Sequence, residues 1–159
     1  MEIYIRKANK KDNHELEKLS AEVQQKHAKE RPDQHRFKSV TFEEVYKTNI
    51  YANSQFGVFV AVTKEGKIVG YIITRIMKHE PHFEGQQAYA YLYLHEIAVA
   101  GDYKKQNIGK KLINYAQNFA KENKAQSIEL GVWEFNQTAI KFYEKLGFKT
   151  KIRKMEIKL

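Results

Sequence analysis

Residues 91–115, YLYLHEIAVAGDYKKQNIGKKLINY, decide how the rest of the chain folds. The first nine of them are apolar or aromatic on both faces, as in a central strand covered on both sides. A short, polar, basic loop follows over 101–107, and a helix begins at Ile108 and Gly109. Ile108, Leu112, Ala116 and Phe119 form one apolar stripe of that helix, while Lys110, Lys111, Asn114 and Lys121 face away. A strand that runs through a tight turn into a helix points the unpaired N–H groups of the first helical turn outward, where they can hold an anion. Lys104, Lys105, Lys110 and Lys111 crowd the same turn. The expectation is a site for the pyrophosphate of a nucleotide-like cofactor.

The charge distribution agrees with that placement. The 159 residues carry a net charge of +9. Residues 1–100 hold 15 Lys and Arg against 13 Asp and Glu, whereas residues 101–159 hold 13 against 6. A positive field concentrated in the second part attracts an anionic cofactor or nucleic acid. It clusters at a phosphate-sized turn, and no aromatic–basic nucleic-acid motif accompanies it, so nucleic acid is not the expected partner. At 42% hydrophobic and 30% charged, the chain reads as folded, and its length suits one domain over residues 1–159. No apolar run reaches membrane-spanning length and residues 1–12 lack the apolar core of a signal peptide, so a cytoplasmic location with no membrane partner is expected. There is no cysteine, which excludes disulfides and thiol chemistry in the chain itself.

Working outward, residues 2–8 alternate as a first strand. Residues 14–30 read as a helix with Leu16, Leu19, Val23 and His27 on one face, ended by Arg31-Pro32-Asp33. Thr41 and Glu44 fit a capping box that opens a second helix, expected to run to about Asn53. Residues 56–63 and 67–78 form a hairpin around Lys64-Glu65-Gly66. After the 108–123 helix come a strand over 127–132, a helix over 136–146 stopped by Gly147, and one last strand or a bent pair over 149–159. The order β-α-α-β-β-β-α-β-α-β, with hairpins early and β-α-β crossovers late, implies an α/β (α+β mixed) fold: a central, mixed, mostly antiparallel sheet with helices on both faces.

Two segments resemble the GNAT superfamily of acyl-CoA-dependent N-acetyltransferases. Lys104-Lys105-Gln106-Asn107-Ile108-Gly109 stands where that family carries Q/R-x-x-G-x-G/A. Lys104 replaces the usual Arg or Gln, and Asn107 the middle Gly; Asn best tolerates the left-handed geometry such a turn needs. Residues 136–148, NQTAIKFYEKLGF, are similar to the N-x-x-A-x-x-F-Y-E-K-x-G-F signature. The element order fits over nearly the whole chain. The resemblance implies a GNAT-like fold with acetyl-CoA or coenzyme A as co-substrate. It also implies acetyl transfer to a primary amine on a small molecule or peptide, and a homodimer built through the C-terminal strands. With no cysteine to carry an acyl group, direct transfer in a ternary complex is expected.

That reaction needs a neutral amine, an oxyanion donor and a proton for the departing thiolate. A lysine-like amine has a pKa of about 10.4 and a thiol about 8.5, so both need help at neutral pH. By resemblance Tyr143 is the general acid, although spacing alone places it on an apolar helix face with Ala139, Phe142 and Leu146. Glu96 is the candidate base, directly or through a water, because burial near the strand end raises its pKa. His95, expected on the opposite face, is the runner-up. The backbone of Ile97, Ala98 and Val99 is expected to pair with the pantetheine arm. Lys104, Lys105, Gln106, Asn107, Ile108, Gly109 and Lys110 would cradle the pyrophosphate, with Gly109 as the bare backbone of close approach. Asn136 is a helix cap, a cofactor ligand, or both. His27, Arg31, Pro32, Asp33 and Phe37 lie where such enzymes shape the acceptor pocket, with Tyr89, Tyr91, Tyr93, Trp133 and Phe135 as cleft or core. No metal is expected: His79-Glu80-Pro81-His82 has close donors in a proline loop without a matching distant ligand.

Overall fold

The computed structural model describes residues 2–36 and 41–159. Five strands, β1 (Ile3–Lys7), β2 (Phe56–Thr63), β3 (Ile68–His79), β4 (Tyr89–Val99) and β5 (Ser127–Leu130), form one sheet in the order 1-2-3-4-5. The first four pair antiparallel, and β5 lies parallel to β4. A parallel neighbour needs a crossover, supplied by α3 (Ile108–Glu122). The other helices are α1 (Asn13–Glu30), α2 (Phe42–Tyr46) and α4 (Gln137–Lys145).

Helices cover both faces of the sheet, as the element order predicts. On one side Leu16, Leu19, Phe42 and Ile50 pack against Val58, Val60, Tyr71 and Ile73. On the other Ile108, Leu112, Ile113 and Ala116 pack against Phe59, Ala61, Ile72, Leu92 and Leu94. Strand β2 is buried throughout because it lies between two strands and under helices on both faces. Each fully buried Leu or Ile here contributes on the order of 1.5–3 kcal/mol.

Local chemistry sets the element ends. The Thr41–Glu44 capping box forms as expected. Gly147, at φ 90, closes α4, with the Phe148 N–H donating to the Tyr143 carbonyl. Two expectations are corrected. Helix α2 stops at Tyr46 rather than near Asn53, because Lys47 turns left-handed at φ 50. Beyond it the Asn49 and Asn53 side chains accept from the backbone N–H groups of Tyr51 and Gln55, turns that compete with helix. The strand expected over 149–159 does not form either: this stretch lacks regular structure. Ile152, Met155 and Ile157 are 80, 84 and 87% exposed. The segment is tied back through charged side chains, Lys151 to Glu129 and Glu156 to Arg31, rather than by a backbone ladder.

Candidate active site

The site is built where β4 parts from β5. The two strands pair from Tyr91 with Ser127 to Leu94 with Leu130, and then pairing ends. Strand β4 continues to Val99 against β3 alone. From His95 onward, through Ile97, Ala98 and Val99, the edge of β4 that faced β5 has no strand beside it among the described residues.

A β-bulge sits at the same place. Glu96 pairs with Ile73 and Leu94 with Thr74, so His95 is the extra residue. A bulge breaks the two-residue alternation and re-aims side chains. The expectation that His95 and Glu96 point to opposite faces is therefore corrected. Tyr71, from the α1/α2-side core, donates from its hydroxyl to Glu96 Oε1. The His95 ring lies 5.4 Å from Tyr46 and 6.0 Å from Phe56 on the same face.

Burial pushes the Glu96 carboxyl up to about 7, against which a hydrogen bond from Ser20 works. A carboxylate titrating there can accept a proton at working pH. His95 is held below its ordinary value, first by desolvation and then by the charge of Arg75. The sequence alone does not single out Tyr71, Ser20, Tyr46 or Arg75. Ser20 alone left a signal, a hydroxyl in the apolar stripe that carries Leu16, Leu19 and Val23.

Across the parting of the strands, Tyr143 belongs to the α3-side core. Its ring meets Phe142 at 5.3 Å and Phe148 at 5.6 Å. Burial pushes its phenol up to about 12, so it stays protonated at neutral pH. Glu96 and Tyr143 thus belong to the two faces of the sheet, and the gap between β4 and β5 separates them.

At the far end of β4, the turn before α3 adopts the left-handed geometry its sequence suggests: Lys105 and Asn107 both have φ 62. The Asn107 side chain makes no cap hydrogen bond. The N–H groups of Ile108, Gly109 and Lys110 therefore lack an intrahelical acceptor. Lys104, Lys105, Gln106, Asn107 and Lys110 are exposed, and Ile108 is buried. Of the four lysines, Lys111 turns away to the Ile3 carbonyl at 3.3 Å. Gly109 has a use that sequence did not reveal: a Cβ there would meet Phe142 Cζ at 3.0 Å, so its bareness lets α4 pack on α3.

Asn136 is a helix cap. Its Oδ1 accepts from the Ala139 N–H at 3.4 Å and from Lys26 Nζ at 2.9 Å, which ties α1 to the start of α4. On the acceptor side, His27 packs between His35 and Phe135, at 5.5 and 5.9 Å. Arg31 lies 5.0 Å over Trp133 and bridges Asp33 and Glu156. Phe37 lies outside the described residues. Tyr93 reaches the bulge, 5.0 Å from His95, whereas Tyr89 and Tyr91 pair with each other farther along β4. A shallow groove lined by Lys78, Tyr89 and Gln126 is at the end of β4 remote from the bulge. Among the described residues, no three His, Asp or Glu side chains gather as metal ligands, and no helix is long and apolar enough to cross a membrane.

Residues 14–148 match the model of the acetyltransferase (GNAT) family. The chain belongs to that family. Among its relatives, an uncharacterized N-acetyltransferase, MJ1207, of Methanocaldococcus jannaschii is 43% identical over 58 residues, 36% of this chain and 26% of that protein. The N-terminal acetyltransferase B complex catalytic subunit NAA20 of Arabidopsis thaliana is 32% identical over 90 residues, 56% of this chain and 48% of that protein. The matches thus span less than half the length of either relative. The fold is matched over its full extent by crystal structures. A mutant of the BH1408 protein of Bacillus halodurans superposes with a TM-score of 0.91 at 26% identity, covering 98% of this chain and 99% of that one. The aminoglycoside N-acetyltransferase AAC(6')-Iy, in complex with a CoA-linked bisubstrate analog, shares the fold at a TM-score of 0.75 and 16% identity, covering 100% of this chain and 99% of that one.

Proposed function

We propose that this GNAT-family chain acts as one domain over residues 1–159 that moves an acetyl group from acetyl-CoA to a primary amine, directly, in a ternary complex. The observation that carries the reading is the parting of β4 from β5 at Leu94 and Leu130. It frees the backbone of Ile97, Ala98 and Val99 to pair with an extended pantetheine arm as a strand would. One of those N–H groups polarises the thioester carbonyl. The first turn of α3, with Lys104, Lys105 and Lys110 beside it, takes the pyrophosphate. Asn136, at the start of α4 and engaged by Lys26, is the cofactor ligand on the α4 side.

Glu96 takes the proton of the acceptor ammonium so that a neutral amine attacks the carbonyl. Tyr143 gives its proton to sulfur as the C–S bond breaks, the second nitrogen proton leaves to solvent as the neutral amide forms, and solvent reprotonates the phenolate. Tyr143→Phe is expected to slow acetyl transfer about tenfold, below the usual range for an acid catalyst, because a thiol of pKa about 8.5 leaves readily. Stopped-flow release of free CoA checks this, and an unchanged rate removes Tyr143 from the chemistry. The acceptor is a small-molecule or peptide amine, and the differing substrates named for relatives leave both classes for test. Calorimetry with acetyl-CoA, followed by an acceptor panel read as free CoA, tests the whole reading. No heat of binding with no turnover overturns it.

The reading extends to a homodimer. Strand β5 has an open outer edge, and exposed edges invite pairing. The apolar side chains of Ile152, Met155 and Ile157 stand uncovered on the adjacent segment. A second copy that supplies its C-terminal segment to the β5 edge would cover both. Sedimentation is expected to give a dimer that deletion of residues 152–159 turns into monomer; a full-length monomer at micromolar concentration would refute it.

A further inference from the structure

Tyr71 stands in the run IVGYII of β3 with none of its surface exposed. Packing alone asks for phenylalanine there. A buried hydroxyl needs a partner, and this one has Glu96. The strand register explains the contact: Tyr71 pairs with Ala98 and Glu96 with Ile73, which makes Tyr71 and Glu96 diagonal neighbours on one face. The Phe42 ring, 6.0 Å away, holds the tyrosine ring from α2. A second hydroxyl, that of Ser20, reaches Glu96 from α1 and is itself fixed by Gln24 Nε2 at 3.0 Å.

We propose that Tyr71 is a positioning residue for Glu96, its hydroxyl fixing the carboxylate at the bulge, ready for the acceptor amine. The inference rests on the reading of Glu96 as the base. Without the bulge Glu96 would lie one register away, and without the Tyr71 hydroxyl only Ser20 would hold the carboxylate. The hydrogen bond also favours the charged carboxylate and works against the cost of burial. The groups facing Glu96 are Ser20 from α1, Tyr46 from α2, Tyr71 from β3 and His95 beside it on β4, with Arg75 facing His95. Burial and the nearby Glu96 charge push the Tyr46 phenol upward, so it stays neutral. His95 is held below its ordinary value by desolvation and by the charge of Arg75.

The test is the pH profile of kcat/KM for the purified full chain with acetyl-CoA and the best amine of the panel. Tyr71→Phe is expected to move the acidic limb upward by roughly half to one pH unit, leaving the KM for acetyl-CoA in place. Replacing Tyr71 with 3-fluorotyrosine, a stronger donor of almost the same volume, is expected to move the limb downward. A purely structural tyrosine would change the melting temperature and leave the limb where it was, and an unmoved limb in both proteins overturns the proposal. If Tyr71→Phe fails to fold, the fluorinated protein decides by itself. Glu96→Gln separates the two readings. If it keeps the limb, the base assignment has failed; if it abolishes a limb that Tyr71 substitutions do not move, only the role of Tyr71 has failed.

Discussion

Glu96→Gln is expected to lower kcat/KM by about a hundredfold to a thousandfold and to remove the acidic limb near neutral pH. The reason is geometric before it is electrostatic. The carboxylate stands at the bulge, where β4 loses β5 as a neighbour, and its surroundings hold its titration at about 7. The same substitution has a stability signature of opposite sign. In the unfolded chain the carboxyl titrates near 4.5 and in the fold near 7. Between those values the folded state binds the proton that the unfolded state has released, so stability falls as pH rises through this window. Gln carries no charge to bury. The variant is therefore expected to melt higher than the parent at about pH 8, with the difference shrinking at about pH 4. A turnover profile beside a melting series measures both. Retained turnover with the limb in place would dismiss Glu96 as base, and loss of the limb in His95→Gln would transfer the role to the imidazole.

What was legible in the sequence follows from where the information sits. The stripe of Ile108, Leu112 and Ala116 marks α3 because a helix buries one face by its own period. The hairpin around Gly66 and the cap at Thr41 are equally local. The bulge at His95 was not legible, because it is defined by the register of β3, which residues 89–99 do not encode alone. That one residue decided whether Glu96 and His95 share a face. Tyr71 was hidden for the same reason: a tyrosine in an apolar strand looks like core until its diagonal neighbour is known. The early end of α2 was written in Asn49 and Asn53, whose side chains favour turns. The segment 149–159 has the alternation of a strand, but its Ile152, Met155 and Ile157 stay exposed beside the open edge of β5, and alternation alone does not fix pairing.

The position where packing and chemistry meet most closely is Gly109, and Gly109→Val is expected to damage both. A Cβ at this position meets the Phe142 ring at 3.0 Å, closer than ordinary van der Waals contact. The branched carbons of valine press further into that ring. Phe142 adjoins Tyr143 on α4, so relief of the clash must move α4 away from α3. The overpacking is expected to cost about 1–3 kcal/mol, seen as a lower melting temperature. The shift also disturbs the turn proposed for the pyrophosphate and the phenol proposed for the sulfur, so the KM for acetyl-CoA is expected to rise more than tenfold while kcat falls. Gly109→Ala separates the causes, because its single methyl needs only a few tenths of an ångström of yielding from Phe142. If alanine restores stability but leaves the KM high, the bare backbone at 109 serves the ligand directly. If alanine restores both, Gly109 acts through the packing of α4. A valine variant with parental stability and parental KM would show that the α3–α4 contact does not set the geometry of the site.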